Sequence, residues 1–256
     1  MIANYHTHTF RCGHASGTER EYIERAIEGG IKIMGFSDHI AYAYPDGHES
    51  GFRVGTSQVK DYFDTLKALR EEYKDRIEIH IGWESEYLPR EFEKMLKNAR
   101  KWGAEYLILG QHFVNTEYPD GVYAGTPCGS EEKLRGYADN VIEAISTGVF
   151  SYVCHPDVFN FTGDPALFKK EMRRVCRAAA KADIPLEINF LGIRDGRHYP
   201  RDDFWQVAGE EDCTAVFGFD AHDAPSAFDG GSLPEAQRIV RQYGLKLAET
   251  VELKKI

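Results

Sequence analysis

The chain has 256 residues, with 31 Lys and Arg against 41 Asp and Glu, a formal net charge of −10, five Cys and ten His. With 42% hydrophobic and 28% charged residues, it has the make-up of an ordinary globular protein long enough for one large core without covalent staples. No apolar run approaches the ~18 residues of a membrane span, no Lys/Arg cluster suits a nucleic-acid backbone, and an odd number of Cys without Cys-x-x-Cys argues against a disulfide framework or a zinc ribbon.

The first residues, Met1 to His6, lack the basic region and apolar core of a secretory leader, which sets the expectation of a cytoplasmic protein. In chain order, β-rich runs bounded by turn residues predict strands at Ile2–Tyr5, Ile31–Phe36, Ile77–Trp83, Glu105–Leu109, Tyr152–Cys154, Leu186–Phe190 and Ala215–Phe219. Between and after them, apolar residues at helical spacing predict helices at Thr18–Glu28, Thr56–Tyr73, Arg90–Trp102, Ser130–Thr147, Pro165–Ala182, Arg201–Gly209 and Pro234–Tyr243. Seven β/α units with mostly apolar strands imply a parallel sheet covered by helices, and closure into a barrel is favoured over an open sheet. No linker divides the chain, so one domain over 1–256 is expected. The longer connections, at about 40–56, 111–130 and 191–203, are natural mouth loops.

In a parallel barrel, chemistry gathers at the C-terminal ends of the strands. His6 and His8 stand at the end of the first predicted strand, Asp38 and His39 at the second, Glu84 at the third, His112 at the fourth, His155 at the fifth, and Asp220 and His222 at the seventh. A lone histidine at a strand end is ordinarily a hydrogen-bonded surface residue; repetition around the barrel points to a shared site. On an extended backbone the alternation of side chains sends His6 and His8 to one face, within reach of a single ion. Imidazole with carboxylate suits zinc, manganese or iron. These ligands exceed what one ion uses, so two or three divalent metal ions are expected, with Glu84 bridging a pair. Closely spaced ions clamp the attacking and leaving oxygens of an in-line displacement, the logic of phosphoester hydrolysis.

At His6-Thr7-His8-Thr9, Cys12-Gly13-His14-Ala15, Gly35-Phe36-Ser37-Asp38-His39, Gly82-Trp83-Glu84, Gly110-Gln111-His112, Cys154-His155-Pro156-Asp157 and Asp220-Ala221-His222, the chain resembles the PHP (polymerase and histidinol phosphatase) superfamily, and within it the histidinol-phosphate phosphatases. The resemblance implies an α/β fold, a distorted (β/α)7 TIM-like barrel with a trinuclear site. By position, it implies one metal at His6, His8, Glu84 and Asp220, a second at Glu84, His112 and His155, and a third at His14, His39 and His222. His14 enters only through the resemblance. Glu84, Asp220 and His222 are the candidate catalytic residues.

The segment Glu187 to Arg194, followed by Tyr199-Pro200, resembles the one that supplies an arginine to the substrate phosphate, which puts Arg194 in that place and Arg197 near it. Those enzymes tend to carry a basic residue after His-Pro-Asp, whereas Val158–Thr162 has none, so one phosphate contact is either missing or supplied by Arg197 or Arg11. The expected partner is a small phosphorylated substrate, with no nucleic acid and no membrane. L-histidinol phosphate is the first choice, and a nucleotide, a sugar phosphate or a protein phosphotyrosine are the alternatives. A noncatalytic metal-binding module would predict missing ligands, and none is missing. Glu86, Asp157 and Asp38 are expected to orient imidazoles. Cys12 and Cys154 are expected to pack, His80 to be a satisfied interior residue, and Tyr42, Tyr44, Phe113, Tyr118 and Tyr123 are candidates to wall the substrate.

Overall fold

Short, mostly buried runs, too brief for helices, form the strands. In the computed structural model, which describes residues 1–256, these are β1 (Ala3–Asn4), β2 (Ile33–Phe36), β3 (Glu78–Ile81), β4 (Trp83–Ser85), β5 (Leu107–Leu109), β6 (Phe150–Val153), β7 (Leu186–Asn189), β8 (Thr214–Gly218) and β9 (Lys246–Leu247). All neighbouring pairs are parallel. Parallel neighbours need crossovers, which the helices supply: α1 (Glu19–Glu28), α2 (Val59–Tyr73), α3 (Phe92–Trp102), α4 (Glu131–Ser146), α5 (Pro165–Lys181), α6 (Phe190–Arg194), α7 (Asp202–Glu210) and α8 (Leu233–Tyr243). Their starts are chemically marked: Thr18 and Glu21 form a capping box ahead of α1, and the Ser130 and Asp164 side chains accept from the first turns of α4 and α5. No helix is long and apolar enough to cross a membrane.

Three features depart from the expected elements. The predicted third strand is divided at Gly82, because the Gly82 N–H bonds Phe36 O while the Trp83 N–H bonds Tyr106 O, so the backbone changes neighbour there. The connection expected over 191–203 opens instead as α6, whose first turn is capped by Asn189 accepting from the Gly192 N–H. An additional edge strand, β9, lies beside β8.

The strands fall into sheets ordered β1-β2-β3 and β4-β5-β6-β7-β8-β9. Isolated bridges, His39 to Glu84 and Thr7 to Ala221, join the sheets at the C-terminal ends of the strands. The same edge of β8 takes β9 near its start and the segment after β1 beyond its end. The ring therefore closes at the end where the candidate residues lie and is distorted at the other, giving the (β/α)7 barrel its asymmetry.

Alternation along the strands separates two apolar regions. Helix-facing residues form a continuous core of 63 residues, while Ala3, Tyr5, Tyr106, Ile108, Tyr152, Cys154 and Val216 fill the interior of the ring with Val251. Val251 comes from the C-terminal tail, which runs under the barrel with the Ala248 N–H on Ala215 O (2.9 Å) and the Lys254 N–H on Ser151 Oγ (3.1 Å).

Candidate metal centre

The strand ends deliver His6, His8, His39, Glu84, His112, His155 and Asp220 as buried residues, with His222 and His14 at the rim. His155 and Asp220 follow β6 and β8 with φ of 27° and 47°, a left-handed turn that side-chain-bearing residues adopt at a cost and that recurs at functional sites.

Glu84 is at the middle. Its Oε2 lies 3.6 Å from His6 Nε2, 3.5 Å from His8 Nε2 and 3.0 Å from His39 Nδ1, and its Oε1 lies 2.9 Å from His155 Nε2 and 3.4 Å from His112 Nε2. Asp220 Oδ1 is 3.5 Å from His6 Nε2 and 3.2 Å from His8 Nε2. At the rim, His14 Nε2 and His222 Nε2 face each other at 3.1 Å, and His14, His39 and His222 form a group whose ring nitrogens lie within 4.8 Å of one another. Gly110 is required beside this carboxylate, since a Cβ there would stand 1.8 Å from Glu84 Oε1.

The donor set fits divalent ions. His6 Nε2, His8 Nε2, His39 Nδ1, Glu84 Oε2 and Asp220 Oδ1 are buried without hydrogen-bond partners. Each such atom costs about 1–3 kcal/mol when left unsatisfied, and here they converge on a shared space. Nitrogen and carboxylate oxygen in this ratio match zinc, manganese or iron. Ligand atoms within 4.8 Å of one another are contributed by His14, His39 and His222, by His8, His39 and Glu84, and by His6, His155 and Asp220; the first group coincides with a set the resemblance implies, and the others cut across its remaining two sets.

Charge and orientation support the same chemistry. Although burial opposes it, the His112, His39 and His6 rings hold the Glu84 carboxyl well below the usual carboxylate range, and His6, His8 and His222 do the same for Asp220. Burial, reinforced by the neighbouring His8, pushes His39 and His222 well below an ordinary histidine, leaving neutral rings with a free lone pair. Nδ1 of His112 lies 2.9 Å from Glu86 Oε1, that of His8 3.3 Å from Asp38 Oδ1, and that of His14 3.0 Å from Cys12 O, so each of these rings donates from its outer nitrogen and turns Nε2 inward. Asp157 instead accepts from the Arg201 N–H at 2.6 Å and orients no imidazole.

Above the cluster is a cavity of about 680 Å³, lined among others by His222, Phe52, Tyr123, Val158, Arg194 and Arg197. Arg197 pairs with Asp195 (3.0 Å) and donates to Tyr199 Oη (3.1 Å). Arg194 donates to Asp229 (3.0 Å) and to the carbonyls of Phe219 (3.4 Å) and Asp220 (3.3 Å). Arg11, the alternative phosphate contact, is buried away from the cavity and committed to Glu19 and to Asp61 (2.9 Å). Of the expected aromatic wall only Tyr123 lines the cavity. Tyr42 and Tyr44 are packed in the core, Tyr118 stacks on His48 at 3.9 Å, and Phe52, which the sequence reading did not single out, takes their place. His198 bonds Val158 O at 2.7 Å. His80 is a quarter exposed between Glu78 and Glu105 rather than fully interior. Burial pushes the Cys154 thiol well up, consistent with packing.

Two residues with a part in this site, Glu187 and Arg53, were not picked out from sequence. The available signals were a carboxylate within the otherwise apolar strand β7 and an arginine inside a mouth loop, neither of which identifies a partner.

The PHP domain family matches residues 4–190 of the chain. A protein of Deinococcus radiodurans named probable histidinol-phosphatase is 25% identical over 252 residues, covering 95% of this chain and 94% of that one. The histidinol-phosphatase of Bacillus subtilis is 25% identical over 250 residues, covering 86% and 92%. Among solved structures, the histidinol phosphate phosphatase of Lactococcus lactis, complexed with Zn, L-histidinol and phosphate, superposes with a TM-score of 0.73 at 20% identity over 96% of this chain and 95% of that chain.

Proposed function

The chain belongs to the PHP domain family, and from that premise we propose that it is a metal-dependent phosphomonoesterase hydrolysing L-histidinol phosphate to L-histidinol and phosphate. The observation that carries the metal-dependent chemistry is the convergence of unpartnered imidazole nitrogens and carboxylate oxygens on Glu84. The substrate rests on the full-length relatives named for this activity.

In this reading the nine side chains His6, His8, His14, His39, Glu84, His112, His155, Asp220 and His222 hold two or three divalent ions, Zn, Mn or Fe. Such ions supply the Lewis acidity and positive charge that phosphoryl transfer to water requires. Glu84 stays ionised and offers one oxygen to each side of the cluster, while Asp220 and the neutral ring of His222 stand at the cavity floor as the other catalytic residues. Arg197, more than a third exposed, directs its guanidinium charge to the substrate phosphate. Arg194 contributes its charge from beneath while holding the Asp220 carbonyl. Phe52, Tyr123 and Val158 exclude water around the organic group. The domain spans 1–256, and the protein works in the cytoplasm on a small phosphorylated substrate.

The uncharged stretch Val158–Thr162, with Val158 on the cavity wall, favours a second reading in which another small phosphomonoester is preferred. A kinetic panel after loading with Zn, Mn or Fe separates them. Histidinol phosphate is expected to give the highest kcat/KM against nucleoside monophosphates, sugar phosphates and phosphotyrosine. A higher value for any of the others replaces the substrate, and no hydrolysis of any of them refutes the enzyme.

A further inference from the structure

Glu187 on β7 has no exposed surface, and its strand neighbours are Leu186, Ile188 and Asn189. A carboxylate buried this deeply is tolerated only where its oxygens are occupied. Oε1 lies 2.9 Å from His6 Nδ1, and Oε2 accepts from the His155 N–H at 3.1 Å and from Asn189 Nδ2 at 2.9 Å. The same Asn189 amide donates to Asp220 Oδ2 at 3.0 Å, and its orientation is fixed because Asn189 Oδ1 accepts from the Gly192 N–H. One carboxylate thus reaches, directly or through one amide, candidate ligands that follow β1, β6 and β8. Glu86 and Asp38 each serve a single ring.

The neighbouring strand is shaped around this group. Asn189 is in register with Gly218 on β8, and a Cβ on Gly218 would stand 1.7 Å from Glu187 Oε1. Only glycine there leaves the carboxylate on His6.

We propose that Glu187 is the positioning residue of the candidate metal centre, and that Gly218 exists to accommodate it. As acceptor from His6 Nδ1–H, Glu187 leaves the Nε2 lone pair facing Glu84 and Asp220. Through the His155 N–H it pins a backbone held at a φ of 27°. Through Asn189 it extends the same constraint to Asp220. Glu187 does not line the cavity and acts only through other residues, and its role rests on the metal-centre reading above.

The test is zinc affinity, measured by competition with a chromophoric chelator, together with Tm of the metal-free protein, for wild type, Glu187→Gln, Glu187→Ala, Gly218→Ala and the Glu187→Ala/Gly218→Ala pair. Glu187→Gln, which keeps the shape and removes the charge, is expected to fold as wild type and bind zinc about 10–100-fold more weakly, the range for loss of a partner behind a ligand. Gly218→Ala is expected to weaken zinc binding with Glu187 present and to add nothing once Glu187 is alanine, the coupling of two residues in contact; weaker zinc binding in Glu187→Gln at an unchanged metal-free Tm is what a merely structural role does not produce. Wild-type zinc affinity in Glu187→Gln overturns the proposal, as does an additive loss in the double variant. If the alanine variants fold poorly, Glu187→Gln decides alone. Wild-type protein that takes up no zinc, manganese or iron removes the proposed function and this role with it, whereas wild type and Glu187→Gln binding zinc equally tightly removes only the positioning role.

Discussion

A single carboxylate carries the centre of this site. Glu84 faces His6, His8 and His39 with one oxygen and His112 and His155 with the other. Glutamine at this position removes the charge and turns one acceptor into a donor. Glu84→Gln is expected to cut phosphomonoesterase turnover on the order of 10³-fold, the scale of losing a group that organises transition-state charge. Circular dichroism should be unchanged, and wild-type turnover in the variant refutes the bridging role. The arginines separate in the same way. Arg197→Ala and Arg194→Ala are each expected to raise KM for phosphomonoesters about tenfold with metal content unchanged, the loss of one charge-assisted contact. Elemental analysis showing metal loss in Arg194→Ala would reassign that residue to holding the Asp220 backbone, to which it already donates at 3.3 Å.

Among the elements, the mouth loops are fastened by a buried arginine. Arg53, fully buried in the 40–56 connection, donates to Glu86 at 2.7 Å and to Glu117 of the 111–130 connection at 2.7 Å, and Tyr44 Oη donates to the same Glu117 oxygen at 3.0 Å. Glu86 in turn holds His112, and with Arg53 and His112 beside it the carboxyl is kept below its usual range in spite of burial. Removing one partner of a buried pair leaves an uncompensated charge at a cost of about 3–5 kcal/mol. Arg53→Met is therefore expected to lose stability on that scale in urea unfolding and to lower metal content by releasing His112; stability and metal content equal to wild type would show that the loops are held otherwise. At this scale most elements were legible from sequence because apolar periodicity is a local property. The break at Gly82, the helix α6 and the edge strand β9 were not, since each depends on which neighbour the backbone meets: Phe36 then Tyr106 at Gly82, the Asn189 side chain at Gly192, and β8 at Lys246.

For the whole molecule, pH sensitivity away from the site reports on fold stability. His80 lies between Glu78 (2.8 Å) and Glu105 (3.4 Å) at the end of the barrel remote from the metal centre. Its bond to Glu105 raises its pKa against the effect of burial, while His80 and Arg70 hold Glu105 at about 2 although burial opposes this. The raised histidine stabilises fully below its ordinary value of 6.5 and loses that contribution as pH climbs through the folded value. The depressed glutamate stabilises fully above its ordinary value of 4.5 and loses that contribution as pH falls toward about 2. His80→Gln is thus expected to lower stability by about 0.5–1 kcal/mol near pH 5.5 and by much less at pH 9; a gap in Tm that does not shrink with pH refutes the ion-pair account. By itself the sequence determined the β/α alternation and the placement of His6, His8, His39, Glu84, His112, His155, Asp220 and His222 at or just past strand ends, with His14 added only by the family resemblance, because periodicity and strand-end placement are written locally and parallel strands share one functional face. Only the tertiary structure decided which oxygen of Glu84 meets which ring, that Glu187 and Arg53 stand behind those rings, and that Arg11 turns away. Most of these are pairings between residues distant in sequence, up to the 181 positions between His6 and Glu187, fixed by where packed strands bring side chains together in space.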